Sequence, residues 1–246
     1  HPLIDFWKGV NHIRRTARRK NRQIQWHGHN HRQVPIICNI ANQRRIRAGI
    51  NTPTALAAVI RPGEDGNTLA MLRWGLVPFW AKDPKIGSRM INARGETVAE
   101  KSAFRQAFRQ RRCLVIADGF YEWRAVGEAK QPYVLRRAEP GTLALAGLWE
   151  HWQDDQGNEL ESCVILVRAA DAAVGRIHDR MPVCIAPESF DLWLDVRSQK
   201  PGPIEALLAA QQPPTLEVYP VPRSVNSPRN DHPDVIQPAP RQQGLL

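Results

Sequence analysis

From residue 54 onward, short apolar runs alternate with clusters of glycine, proline, aspartate and asparagine, and that punctuation commits the chain to short strands joined by tight turns. Residues 54–60 (TALAAVI) and 68–74 (TLAMLRW) flank the turn sequence RPGEDG, which predicts a hairpin. Further strands are predicted at 113–117 (CLVIA), 133–136, 142–149, 163–169, 183–185 and 216–220, with DDQGN at 154–158 as a second hairpin turn. Helical spacing is sparser. Val98, Phe104, Ala107 and Phe108 predict a helix over 96–110. A second helix should start near Pro187, with Phe190, Trp193 and Leu194 on one face, and a third runs over 203–210. Strands outnumber helices and no βαβ alternation is present. The fold class is therefore α+β: a single domain with a largely antiparallel, barrel-like sheet flanked by a few helices. The proline-rich stretch 233–243 reads as an extended tail.

Charge divides the chain differently. The formal net charge is +10, from 34 Lys and Arg against 24 Asp and Glu. Residues 1–50 hold 11 of those bases and one acid, Asp5, which leaves 23 of each sign in residues 51–246. A uniformly basic nucleic-acid protein is excluded, and any binding of DNA by residues 51–246 must rest on a local patch. Residues 1–50 form an atypical basic segment, poorly ordered or mistranslated, 51–240 the folded domain and 241–246 a tail. Three readings of the basic segment compete. It is a basic arm for phosphates, a metal site made by His27, His29 and His31, or the product of a shifted reading frame.

The longest apolar run, residues 143–149, falls far short of the ~20 residues a membrane helix needs. The basic N-terminal region lacks the apolar stretch and cleavage site of a secretory leader. Cys38, Cys113, Cys163 and Cys184 lie far apart, three of them in apolar runs, which predicts reduced buried thiols and a cytoplasmic protein.

Four segments combine polar, aromatic and titratable groups: RWGLVPFW (73–80), MINARGE (90–96), ADGFYEW (117–123) and RIHDRMP (176–182). Taken singly, each has an ordinary explanation. Trp74 and Trp80 suit packing as well as base stacking, Asn92 suits a turn, and His178, flanked by Asp179 and Arg180, suits a surface ion-pair residue. Glu122, set between two aromatics, is a carboxyl whose desolvation would raise its pKa toward acid–base work.

In their order, RWGLVPFWAKD, INAR-x-ET, ADGFYEW and IHDRMPV resemble the SRAP family, abasic-site-processing proteins also called SOS-response-associated peptidases. The resemblance spans about residues 51–240 and takes in VPRSVN (221–226) and VIQP (235–238). It implies a DNA-damage-response protein that binds single-stranded DNA and crosslinks to the ring-opened aldehyde of an abasic site. The implied nucleophile is an N-terminal cysteine: its amine condenses with the aldehyde and its thiol closes a thiazolidine. By the same match Asn92 would position the amine, Glu122 would shuttle protons, and His178 would assist ring opening. Arg94 would hold a phosphate, and Trp80 and Trp123 would line the stacking surface. No metal, cofactor or obligate protein partner is implied; the partner is single-stranded DNA, with nucleoid association while bound.

The sequence departs from that pattern at two places. Met-Cys-Gly-Arg does not occur, and Val167-Arg168 stands where the family tends to have Thr-Thr. Two alternatives follow: a non-covalent single-stranded DNA binding module, and a protease using Cys113 or Cys184 with His178.

Overall fold

The RPGEDG turn closes the hairpin it predicts, with Gly63 opposite Gly66 and Gly66 at a positive φ of 118°. The computed structural model describes residues 36–38, 49–51, 54–197, 200–227, 229–230 and 233–239. Its strands are β1 (Ile36–Cys38), β2 (Gly49–Asn51), β3 (Leu56–Gly63), β4 (Gly66–Trp74), β5 (Asn92–Arg94), β6 (Arg112–Ala117), β7 (Gly119–Val126), β8 (Ala129–Arg137), β9 (Leu143–Gln153), β10 (Glu159–Ala169), β11 (Arg180–Pro182) and β12 (Leu216–Pro220). Among the described residues three α-helices accompany them: α1 (Arg105–Gln110), α2 (Phe190–Leu194) and α3 (Pro201–Ala210).

Five strands close on themselves. β10 pairs with β4, β4 with β3, β3 with β6, β6 with β9, and β9 returns to β10. Among the described residues only β10 makes parallel pairings, to β4 and β5, so the sheet is largely antiparallel as expected. Alternation along the strands fills the barrel with Val59, Trp74, Cys113, Val115, Cys163 and Ile165. The intervening residues Ile60, Leu114, Val164 and Leu166 face outward, where Phe108, Trp193 and Leu207 from the three helices cover them. CLVIA reads as a continuous apolar run because both faces of β6 are buried.

A second sheet, ordered β12-β8-β7-β1-β2, lies against this barrel. Phe120 and Leu135 turn one face of it into the barrel's core. Tyr121, Val134, Tyr219 and Val225 make a separate cluster on the other face. β1 and β2 lie within the segment read as a basic leader, and β1 pairs with Phe120 and Gly119 of β7. The histidine run of that segment lies outside the described residues.

Three local expectations need correction. The helix over 96–110 shrinks to α1, because Gly95 donates to the Val167 carbonyl at 2.8 Å and Glu96 is drawn to Arg180, so the stretch before α1 is held as turns by tertiary contacts. The strand at 183–185 starts earlier, at β11, and Cys184 adds a single bridge to Leu145. The proline-rich stretch is no extended tail over 233–239: Val235 is buried, Tyr219 Oη donates to the Ile236 carbonyl, and Ala239 N–H donates to the Pro220 carbonyl.

Arg112 is fully buried and was not flagged by the sequence. Its guanidinium donates to the carbonyls of Phe108 and Arg109 in the last turn of α1, and to those of Trp193 and Asp195 at the end of α2. Helix C-termini expose unpaired carbonyls with partial negative charge, so one cation satisfies two helix ends at once. Among the described residues no helix is long and apolar enough to cross a membrane.

Candidate active site

Glu122 stands in the middle of β7 opposite Tyr133, on the face that Phe120 directs into the barrel core. Its side chain is 3% exposed and its Oε1 has no hydrogen-bond partner. Burial pushes the carboxyl up to about 8; the Trp123 backbone N–H pulls against that and the Asp179 carboxylate adds to it. At neutral pH Glu122 is therefore largely a neutral acid with a proton to give, and just above it a base.

His178 reaches the same place from another part of the chain. The 3-10 turn Val174–Arg176 is capped by Asp171, whose Oδ1 accepts from the N–H groups of Ala173 and Val174, and His178 N–H closes onto the Val174 carbonyl. The imidazole Nδ1 then lies 3.9 Å from Glu122 Oε1 and 3.2 Å from Asp179 Oδ1, and it accepts the Arg180 N–H at 3.0 Å. About a third of the ring is open to solvent. Two proton carriers from β7 and the approach to β11 thus face each other, one buried and one accessible.

β5 supplies the next pair. It runs parallel to β10, with Asn92 opposite Ile165 and Arg94 opposite Val167, and its start is fixed by Trp74 Nε1 donating to the Ile91 carbonyl at 2.9 Å. Ala93 is buried under the helices, so Asn92 and Arg94 share the opposite face of the strand. Arg94 is exposed and Asn92 half-buried. Immediately after, Glu96 reaches across the end of β10 and pairs with Arg180 Nη1 at 2.5 Å, tying β5 to the His178 turn.

The tryptophans divide three ways. Trp74 is core. Trp80 and its neighbour Phe79 are each about half exposed, on a loop pinned by Val77 N–H to Ser162 Oγ at 2.8 Å and by Trp152 Nε1 to the Ala81 carbonyl. At the root of that loop Gly75, at φ 121°, passes so close to Gly87 that a Cβ would sit 2.5 Å from its carbonyl oxygen. The result is a rigid, solvent-facing aromatic step. Trp123 points away from Glu122, on the other face of β7, where its ring tilts against Tyr121 and its Nε1 donates to Asn226 Oδ1.

The structure therefore joins Glu122 to His178 and ties the strand carrying Asn92 and Arg94 to the same turn, while Trp123 belongs to a separate face. Phe79, Glu96, Asp179 and Arg180 were not assigned from the sequence. The signal available was an acid and a base, Glu96 and Arg180, inside two of the four segments that combine polar, aromatic and titratable groups. Cys113, Cys163 and Cys184 are buried free thiols, and burial pushes Cys163 and Cys184 up to about 12. Such thiols are inert, which leaves the protease alternative without a reactive thiol at Cys113 or Cys184. Among those residues no group of three or more His, Cys, Asp or Glu is placed to hold a metal.

Residues 13–228 match the family described as SOS response associated peptidase (SRAP). The match begins inside the first fifty residues. The abasic site processing protein YoqW of Bacillus subtilis is 39% identical over 183 residues, covering 74% of this chain and 81% of that protein. The abasic site processing protein YedK of Escherichia coli is 32% identical over 169 residues, 67% of this chain and 72% of its own length. A crystal structure of a Bacteroides thetaiotaomicron protein superposes with a TM-score of 0.66 at 26% identity, covering 76% of this chain and 82% of the other.

Proposed function

Because this chain belongs to the SOS response associated peptidase family, we propose that it processes abasic sites in single-stranded DNA, with Glu122 and His178 moving the protons of the reaction. The observation that carries this reading is the buried Glu122 carboxyl, its Oε1 without a hydrogen-bond partner, facing an accessible imidazole at 3.9 Å. An abasic sugar in its open form is an aldehyde. An amine adds to it, and the resulting hydroxyl must take up a proton to leave as water. A carboxyl with a pKa of about 8 is a suitable donor for that proton and a suitable base for returning it. His178 handles the sugar's own ring oxygen on the solvent side.

Binding follows from the exposed groups. Arg94 takes a backbone phosphate. Phe79 and Trp80 offer faces on which unpaired bases stack, at about 1–3 kcal/mol per base. Asn92, two residues from Arg94, holds the attacking amine. We assign the covalent step to a terminal 1,2-aminothiol as the family resemblance implies, although Met-Cys-Gly-Arg does not occur in residues 1–246, and the peptidase activity to removal of the protein's own N-terminal residue; the place of action is the cytoplasm, on nucleoid DNA. A second reading, non-covalent binding of single-stranded DNA, is favoured by the burial of Cys113, Cys163 and Cys184. The test is incubation of the full chain with single-stranded oligonucleotides, abasic and intact, followed by denaturing electrophoresis. A denaturation-resistant adduct with the abasic strand alone supports the covalent reading. Retention in a native gel without an adduct leaves the second. Equal indifference to both strands overturns the proposal.

A further inference from the structure

The two proton carriers stand close without touching. Glu122 Oε1 and His178 Nδ1 are 3.9 Å apart, beyond hydrogen-bond reach, and Glu122 Oε1 has no other partner although it is buried. A buried carboxyl beside an imidazole would ordinarily close that gap, since an unmade buried bond is costly. What holds the ring back is visible on its other side. Nδ1 has two contacts with Arg180: it accepts the N–H at 3.0 Å, and the carbonyl oxygen lies farther off at 3.3 Å. The backbone of Arg180 is held opposite Ala169 in the pairing of β11 with β10, and its guanidinium is held by Glu96 through Nη1 at 2.5 Å; Glu96 stands two residues past β5, whose register against β10 is fixed by three residue pairs. Glu96 is well placed to be ionised. Burial works against it, but its own N–H, the Arg180 guanidinium and the Ala169 N–H together hold its carboxyl below the usual range.

We propose that Glu96 is a positioning residue: through its ion pair with Arg180 it sets the His178 ring with Nδ1 turned to the Arg180 N–H, keeping the imidazole out of bonding reach of Glu122. Two consequences follow. With Nδ1 accepting the nearer Arg180 N–H rather than donating to the Arg180 carbonyl, the ring carries its proton on Nε2, so the solvent-side nitrogen is the one that donates. Glu122 Oε1 stays free for substrate instead of being spent on its neighbour. The groups facing His178 are then Glu122 from β7, Asp179 beside it in the chain, and the Glu96–Arg180 pair across the end of β10. Catalysis gains by fixing these groups before the substrate arrives. Glu96 itself touches no reacting atom in this arrangement, and its pair with Arg180 is half exposed, so it contributes little to global stability.

The inference rests on the proposed role of Glu122 and His178 in abasic-site processing, but its first readout needs no DNA. Nitrogen-15 NMR of the His178 ring in the full chain should show one neutral tautomer with the proton on Nε2. In Glu96→Gln it should show a mixture of the two tautomers. Single-turnover reaction of Glu96→Gln with an abasic single-stranded oligonucleotide should slow roughly tenfold while its affinity for the intact strand stays unchanged. The exchange Glu96→Arg with Arg180→Glu should restore both signals. If Glu96→Gln does not fold, Glu96→Asp, which keeps the charge and shortens the reach, carries the same comparison. An unchanged tautomer in the variant, or a lost rate that the exchange does not restore, overturns the proposal. A changed tautomer with no reaction on abasic DNA by any form upholds the positioning role and overturns the substrate assignment instead.

Discussion

Glu122 should make the stability of this protein fall steeply with pH, and removing it should flatten that dependence. The folded state raises the carboxyl from 4.5 to about 8, chiefly by burying it. A group that binds its proton more tightly when folded contributes stability that is fully present below the unfolded pKa and is lost as pH rises through the folded one. The window is therefore about pH 4.5 to 8. Each tenfold difference in proton affinity is worth about 1.4 kcal/mol, so ionising Glu122 in place costs about 4 to 5 kcal/mol. That is a large share of the ~5–15 kcal/mol by which domains are stable. The perturbation is Glu122→Gln, which keeps the shape and cannot ionise. Urea unfolding of both proteins at pH 5, 6, 7, 8 and 9 should show the wild type losing about 4 kcal/mol relative to the variant between pH 5 and pH 8, with no further divergence above pH 9. Parallel stability curves across that range would refute the reasoning, because they would mean that the carboxyl is solvated or that its ionisation is compensated within the fold.

Arg112→Met should destabilise the protein by about 3 kcal/mol or more, since it strands four carbonyls at the ends of α1 and α2; thermal or urea unfolding measures it. Arg94→Ala should weaken single-stranded DNA binding and lower the slope of log affinity against log salt by about 0.7, the share of one phosphate contact, as read in a salt series by fluorescence anisotropy. Trp80→Ala and Phe79→Ala should each cost about 1–3 kcal/mol of affinity with little change in unfolding midpoint, because both rings are half exposed. Gly75→Ala should lower stability, or fail to express, because its backbone sits at φ 121° and the added Cβ meets the Gly87 carbonyl.

Much of the barrel was legible because its signals are local. RPGEDG and DDQGN fix their hairpins through turn chemistry, and CLVIA announces a strand buried on both faces. The parallel contact of β4 with β10 that closes the ring has no local signature, since Arg73 and Ser162 are paired only by the completed fold. The helix over 96–110 was misjudged for a related reason. Val98 and Phe108 are buried, so their spacing mimics one helical face, yet Val98 is carried there by a turn that β10 and Arg180 hold in place. Arg112 was invisible because Arg109, Arg111 and Arg112 together read as a solvated basic run before a strand. Glu122 and His178 could be nominated from residue type and neighbourhood, but their meeting at 3.9 Å depends on β7 and the approach to β11 being folded together. Trp123 follows Glu122 directly in sequence yet lies on the other face of β7, because on a strand neighbours face opposite ways, and no local signal tells which face meets the barrel.

The formation rate of a denaturation-resistant complex with an abasic single-stranded oligonucleotide, followed from pH 6 to pH 9 for the wild type and Glu122→Gln, tests the central claim most directly. Glu122 as proton donor predicts a wild-type rate that falls above pH 8 as the carboxyl ionises. The variant should be slower by about 10²–10⁴ and lack that alkaline fall. Equal rates with the same profile in both proteins would contradict the assignment.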